Sequence, residues 1–303
     1  MENAYQNQVK ELNLCDNIDA DIYLTQLSNE TTSYLKYAKE CILESPIITG
    51  EEIKDSDHQI ITLRGYVLMI EAPIIFEIGC GAGRTLTMFR SMDPDVLSTI
   101  TYIGTDIKWE NLDKARQYAN SIGLVEKGLN FSIINSCEYK EVNSVDMCIF
   151  ANVIHEIKPT ELCSELNKYL RMIKPKGKAV ILECVELITG EREHVMLYKD
   201  AIKALFKEEQ KKGSLNIAID NPHSHKGRPL MNVVITINNP QNIDINEQDV
   251  IQALNAVIKS DSLSLKNHFN ESNKLSPISL AFKAHNLAHA QMFKDIILEK
   301  SII

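Results

Sequence analysis

The sequence predicts an α/β fold: a seven-stranded, mostly parallel sheet with helices on both faces, plus helical extensions at both ends. Three observations predict it. From Pro73 to about Asn239, short apolar runs alternate with amphipathic segments, as strands do when covering helices connect them. Within that stretch Ile74-Ile75-Phe76 leads through Glu77 into glycines at every second position, Gly79, Gly81 and Gly83. That pattern is a buried strand entering a turn where the backbone comes close to a ligand, which glycine permits. Outside it, residues 1–72 and 240–303 read as helical.

The elements follow in order. Thr31–Glu44 is the clearest N-terminal helix, with Tyr34, Leu35, Ala38, Cys41 and Ile42 on one stripe, and Pro46 stops it. Gln59–Ile70 is a further extended or helical piece, and residues 1–72 are expected to cap the sheet edge or the ligand site. Strands are expected at Ile74–Ile78, Thr99–Thr105, Leu129–Asn135, Val145–Ala151, Lys178–Cys184, Ser214–Asp220 and Met231–Ile237. Helices are expected at Arg84–Arg90, Glu110–Ser121, Thr160–Ile173 and His194–Lys211. The central domain is thus 73–239. Beyond it, Glu247–Lys259 and about Pro277–Lys300 form a helical extension, a lid or a dimerisation element. Parallel sheets of this kind bind ligands at the carboxyl ends of their strands, where the loops after Ile78, Thr105, Asn135 and Ala151 gather.

Composition bounds the function. The chain has 303 residues, 44% hydrophobic and 24% charged, with a net charge of −9. A broad non-specific nucleic-acid surface needs clustered Lys and Arg, so nucleic acid is an unlikely partner. Seven cysteines (Cys15, Cys41, Cys80, Cys137, Cys148, Cys163 and Cys184) are scattered without metal spacing, as expected of reduced thiols in a cytoplasmic protein. The N-terminus has no signal-peptide pattern, and no apolar run is long enough for a membrane span.

The spacing of the glycines discriminates between ligands. Dinucleotide turns read G-x-G-x-x-G, but the third position after Gly81 is Arg84. The stretch Glu77-Ile78-Gly79-Cys80-Gly81-Ala82-Gly83 instead resembles, without a gap, the first motif of class I S-adenosylmethionine-dependent methyltransferases. That resemblance implies a Rossmann-like sheet and S-adenosyl-L-methionine as cofactor, its methionine part wrapped by this turn. Asp106, ending the second strand, has the place of the ribose-binding acid: a carboxylate accepts from two vicinal hydroxyls. Its alternative role is a helix N-cap. Asn135, followed by Ser136, stands where the family usually has an adenine-binding acid. Its amide can still accept or donate, and it can equally be a turn residue. Asp146 matches the acid opening the fourth strand, a largely structural position. Lys174-Pro175-Lys176-Gly177 resembles the family's turn into the fifth strand. The cofactor set implied is Glu77, Gly79, Cys80, Gly81, Gly83, Asp106, Asn135, Ser136, Ala151 and Asn152. The resemblance covers Pro73–Cys184 well and Ser214–Ile237 plausibly.

A base is needed only if the methyl acceptor must lose a proton. His155, just past the fourth strand, is the candidate. It is alternatively a loop cap or a packing residue. Glu156 adjoins it, but adjacent residues do not generally face each other. His155, Glu156, His223 and His285 are the candidate substrate contacts. His285 and His289 share a helix stripe, but lack an intervening Glu and a third ligand, so no metal is expected. Ala151-Asn152-Val153-Ile154 replaces the [D/N/S]-P-P-[Y/F] motif of amino-methylating nucleic-acid enzymes. The expected partner is therefore a small molecule methylated at O or N, with no membrane and a possible homodimer through the helical extensions. The alternatives are a non-catalytic protein of the same fold and an RNA or protein methyltransferase.

Overall fold

The structure is a computed structural model that describes residues 58–135, 144–184, 195–220, 224–225, 228–269, 275 and 277–300. The expected helix Thr31–Glu44 lies outside them. Among the described residues eight strands form: β1 (Ile74–Ile78), β2 (Thr101–Asp106), β3 (Asn130–Asn135), β4 (Val145–Ala151), β5 (Ile173–Cys184), β6 (Leu215–Asp220), β7 (Ser224–His225) and β8 (Arg228–Ile237). Their order is β3-β2-β1-β4-β5-β8-β6, with β7 paired only to β8. β8 runs antiparallel to β5 and β6, and the pairings from β3 through β5 are parallel. The seven-stranded, mostly parallel sheet is therefore present. Chain order reverses between β1 and β4, and such a reversal opens a crevice at the strand carboxyl ends.

Each face of the sheet buries its own apolar cluster. Helix α1 (His58–Leu68), the 3-10 helix Arg84–Phe89 and α3 (Trp109–Ser121) contribute Leu63, Phe89 and Leu112 over Ile75, Met147 and Val180. The short helix α2 (Pro94–Leu97), capped by Asp93, adds Leu97. On the other face are α4 (Pro159–Met172), α5 (Lys199–Leu205), α6 (Lys207–Lys211), α7 (Glu247–Phe269) and α8 (Pro277–Lys300). Leu254 and Val257 of α7 and Phe293 of α8 share one cluster with Phe150, Ile181 and Val233 of the sheet. The C-terminal helices are thus packed into the sheet's own core.

Several boundaries differ from expectation, each for a local reason. The expected helix at Arg84–Arg90 is 3-10 over Arg84–Phe89, with residues 85–89 all buried. β2 begins at Thr101, because the Thr99 hydroxyl bonds back to the Val96 carbonyl and finishes the α2 turn. The expected helix at His194–Lys211 is divided at Phe206 (φ −103°, ψ 7°), whose ring is fully buried. α7 continues ten residues past Lys259, to Phe269.

The turn at Lys174–Gly177 proves to be a bulge inside β5. Val145 pairs with Ile173, and Met147 with Lys178, so residues 174–177 loop out of the ladder. Lys176 adopts φ 70°. Asp146 secures the bulge: it accepts from the Lys174 ammonium at 3.0 Å and from the Ile74 amide at 2.9 Å. This is the structural role expected of it.

A buried polar cluster docks the C-terminal helices on the chain before α5. Asp261, fully buried, accepts from Tyr198 at 2.9 Å, Lys283 at 3.1 Å and Asn286 at 2.9 Å. Asn286 also accepts from the Met196 amide at 2.8 Å. Burial pushes the Asp261 carboxyl up, and Lys283 opposes that shift.

The bulge gives a test of packing. A Cβ on Gly177 would lie 2.5 Å from Ile173 Cγ2 and 2.8 Å from the Asp146 carbonyl. Gly177→Ala is expected to destabilise the fold by about 1–3 kcal/mol, read as a lower urea midpoint with unchanged slope.

Candidate active site

The site is built on the turn after β1. Gly79, Gly81 and Gly83 all have positive φ, at 63°, 53° and 85°, a region that side chains with a Cβ enter at a cost. Gly79 also lies against the loop after β4, where an added Cβ would stand 2.5 Å from Val153 Cγ2. At Gly81 the same atom would meet nothing within 4 Å. The turn is therefore packed below and open above.

Glu77 lies beneath the turn, 1% exposed. Its Oε2 accepts hydrogen bonds from the Thr85 hydroxyl and the Tyr102 phenol, which joins β1 to the 3-10 helix and to β2. Burial raises the Glu77 carboxyl to about 7, against the lowering effect of those two hydroxyls. The Cys80 side chain is buried too, and its amide donates to the Thr105 carbonyl at 2.7 Å. Burial pushes its thiol up. Cys80 shapes the turn through its backbone.

Asp106 is not the N-cap of α3, which is Lys108; it stands two residues earlier and holds the approach to that helix. Oδ1 accepts from the Lys108 amide at 2.8 Å and from Asn111 Nδ2 at 3.2 Å, organising the entry to α3. Oδ2 accepts from the Gly81 amide at 3.0 Å, which clasps the glycine turn to the end of β2. A carboxylate offers about four lone-pair sites, and these bonds use three. Asn135 ends β3 in register with Asp106; its side chain and Ser136 lie outside the described residues.

Ala151 ends β4 opposite Leu182, and Asn152 follows at φ 56° with its amide bonded to the Leu182 carbonyl at 2.7 Å. The Asn152 carboxamide exchanges two 3.3 Å hydrogen bonds with Gln59 of α1. Arg84 donates to the same Gln59 oxygen. Gln59 thus ties α1 to the turn after β1 and to the loop after β4. Its only sequence signal is a polar residue on the buried stripe of α1 with Ile60, Leu63 and Val67.

His155 sits in a 3-10 turn after β4, 2% exposed. Its Nδ1 lies 2.6 Å from Glu183 Oε2. Glu183 Oε1 accepts from the Ile154 amide at 2.7 Å. With that carboxylate acting as acceptor on both oxygens, the Nδ1–H group is the donor of this pair. Glu183 escapes sequence reasoning because it lies 28 residues from His155. Its signal is an acid ending the apolar run Ala179–Leu182. Glu156, the sequence neighbour, is exposed.

The other histidines do not join this group within what the structure describes. His223 lies outside the described residues, as does the side chain of His285. His289 is buried edge-on against Phe293. Among the described residues no group of three or more His, Cys, Asp or Glu side chains could hold a metal ion. No helix among them is long and apolar enough to cross a membrane.

A methyltransferase-domain family model matches residues 73–243, more than half of the chain. The chain belongs to the methyltransferase-domain family. Residues 73–243 are a class I S-adenosylmethionine-dependent methyltransferase domain, whose cofactor is S-adenosyl-L-methionine. A SAM-dependent methyltransferase from Aquifex aeolicus is 20% identical, with a TM-score of 0.45 over 67% of this chain and 97% of that one. Magnesium protoporphyrin IX methyltransferase from Synechocystis, solved with bound SAM, is 10% identical, with a TM-score of 0.44 over 59% of this chain and 78% of that one. The CurJ carbon methyltransferase is 18% identical, with a TM-score of 0.41 over 55% of this chain. The chain spans 49% of that structure, about half its length. No curated protein sequence matches the chain.

The methyltransferase's residues fit this cofactor. Over Gly81 an added Cβ meets nothing within 4 Å, and Asp106, clasped to the Gly81 amide, has a lone-pair site left to accept a further hydrogen bond. Gly81→Val is expected to fold, with a loss of about 1–2 kcal/mol from the positive φ, yet to bind no S-adenosylhomocysteine in calorimetry. Wild-type affinity in that variant would contradict the assignment.

Glu77 gives a pH prediction. Its folded value, about 7, is raised above the ordinary 4.5, so its contribution to stability is full below about pH 4.5 and is lost as pH rises through about 7. The size is on the order of 3 kcal/mol. Melting temperature should therefore fall across that window, and Glu77→Gln, whose oxygen still accepts from Thr85 and Tyr102, should flatten the profile.

Proposed function

We propose that the protein is a cytoplasmic enzyme that methylates O or N of a small-molecule acceptor by in-line displacement, with His155 as general base. The observation that supports this reading is the buried His155–Glu183 pair. A hydroxyl or protonated amine becomes a good nucleophile only when a proton leaves, whereas direct displacement otherwise asks nothing of the protein but alignment. Glu183 fixes the imidazole tautomer, and the Ile154 amide fixes Glu183.

S-adenosylmethionine supplies a methyl group on a positively charged sulfonium. The chain's own residues do the rest. Glu77, Gly79, Cys80, Gly81 and Gly83 would form the cofactor's cradle, Asp106 would hold the ribose, and Asn135 and Ser136 would be the adenine contacts. Ala151 and Asn152 line the transfer side. His155 Nε2 takes the acceptor's proton, and Glu156, His223 and His285 are the further substrate contacts. The net charge of −9 disfavours a polyanionic acceptor. Leu263 and Leu298, exposed on α7 and α8, are the residues a homodimer contact would use.

The test is transfer of labelled methyl from S-adenosylmethionine into a cell extract divided into small-molecule, protein and RNA fractions. Label is expected in the small-molecule fraction. His155→Gln and Glu183→Gln should each lower the rate about 10²–10⁴-fold with S-adenosylhomocysteine affinity unchanged. Label confined to RNA or protein would overturn the small-molecule reading, and full activity in His155→Gln would overturn the base.

A further inference from the structure

The sheet holds one more polar group at its carboxyl rim that the cofactor and the base leave unexplained. Asn232 of β8 is 4% exposed. Its Nδ2 donates to the Tyr66 phenol at 2.9 Å. Its Oδ1 is buried and has no hydrogen-bond partner among the described residues. An unsatisfied buried carbonyl is costly, and most such groups in folded proteins are paired. An apolar side chain of the same size would avoid the cost, as the neighbouring Met231 and Val233 do.

The position of Asn232 gives the orphan its meaning. Asn232 pairs directly with Leu182, and Leu182 pairs with Ala151. All three therefore sit on one face and in one row, at the strand ends where the cofactor loops meet. Adjacent strands are about 4.8 Å apart, which places Asn232 about 10 Å from Ala151 across the rim. That is beside the transfer position, on the side away from β1 and its glycine turn. The base pair stands one residue along and on the other face, because Glu183 pairs with Met231. Tyr66 reaches this row from α1, the helix that Gln59 ties to Asn152.

We infer that Asn232 Oδ1 is a recognition site for the methyl acceptor, receiving a hydrogen bond from an O–H or N–H group of that molecule. The inference rests on the reading of the protein as a methyltransferase with a hydroxyl- or amine-bearing acceptor. It narrows that reading: the acceptor carries a donor that reaches the α1 face of β8. Tyr66 positions the carboxamide so that the oxygen points away from the phenol. A site built to bond such a group rejects a molecule that lacks it, because the protein's own polar atom is then left unpaired.

The test uses the full chain and labelled S-adenosylmethionine, with the fractionated cell extract as the source of acceptor. Asn232→Leu removes both the unsatisfied buried oxygen and the bond to Tyr66, two opposed effects, so it should melt near the wild-type temperature. It should bind S-adenosylhomocysteine like the wild type and transfer methyl about 10- to 100-fold more slowly. Asn232→Asp, whose carboxylate still accepts, should keep most of the rate. A wild-type rate in Asn232→Leu, with cofactor binding intact, overturns the inference and marks the oxygen as the seat of a structural water. An equally deep loss in Asn232→Asp also contradicts it. The two failures are distinct: label in RNA or protein removes the small-molecule reading, while the comparison of variants on that label still decides Asn232. Transfer into no fraction by the wild type overturns both.

Discussion

The 3.0 Å hydrogen bond from the Gly81 amide to Asp106 joins the two strand ends on which the cofactor site depends. The turn after β1 holds three glycines of positive φ. The bond clasps it to β2, while Asp106 also organises the start of α3. Below the turn, Glu77 does the corresponding work in the core, gathering hydroxyls from β2 and the 3-10 helix. The turn is thus fixed from beneath and at its edge, and its upper side stays open. A backbone held this way binds a cofactor with little further ordering.

The parallel strands then bring the chemistry to that turn. β4 lies beside β1, so the loop that follows Ala151 comes against the glycine turn, with Val153 packed on Gly79. β5 lies beside β4, so Glu183 comes within 2.6 Å of His155. The same rim continues to β8, whose Asn232 occupies the opposite face. The residues proposed for cofactor, base and acceptor recognition therefore occupy successive stretches of one sheet edge. Helices outside the matched family region support this edge: α7 and α8 fill the core beneath it and hold the segment before α5 through Asn286 and Met196.

Much of this was legible in the sequence because the features were local. The glycine spacing, the acid closing β2 and the apolar runs of β1 and β4 each declare themselves within a few residues. What stayed hidden depended on distant partners. Glu183 gains its role only when β5 pairs with β4, and Gln59 only when α1 crosses two loops. The Lys174–Gly177 segment reads as a turn from its Pro and Gly, yet Asp146 holds it as a bulge within a continuous strand. Phe206 breaks a helix that its periodicity would continue, because the ring is drawn into the core. Propensity is a weak prior wherever tertiary packing competes with it.

The most direct test of the cofactor site is a crystal structure of the protein with S-adenosylhomocysteine. The account predicts the ribose hydroxyls on the Asp106 carboxylate and the amino-acid portion over the Gly81 backbone, with the sulfur facing the β4 end. A cofactor bound elsewhere, or one whose ribose leaves Asp106 untouched, would contradict it.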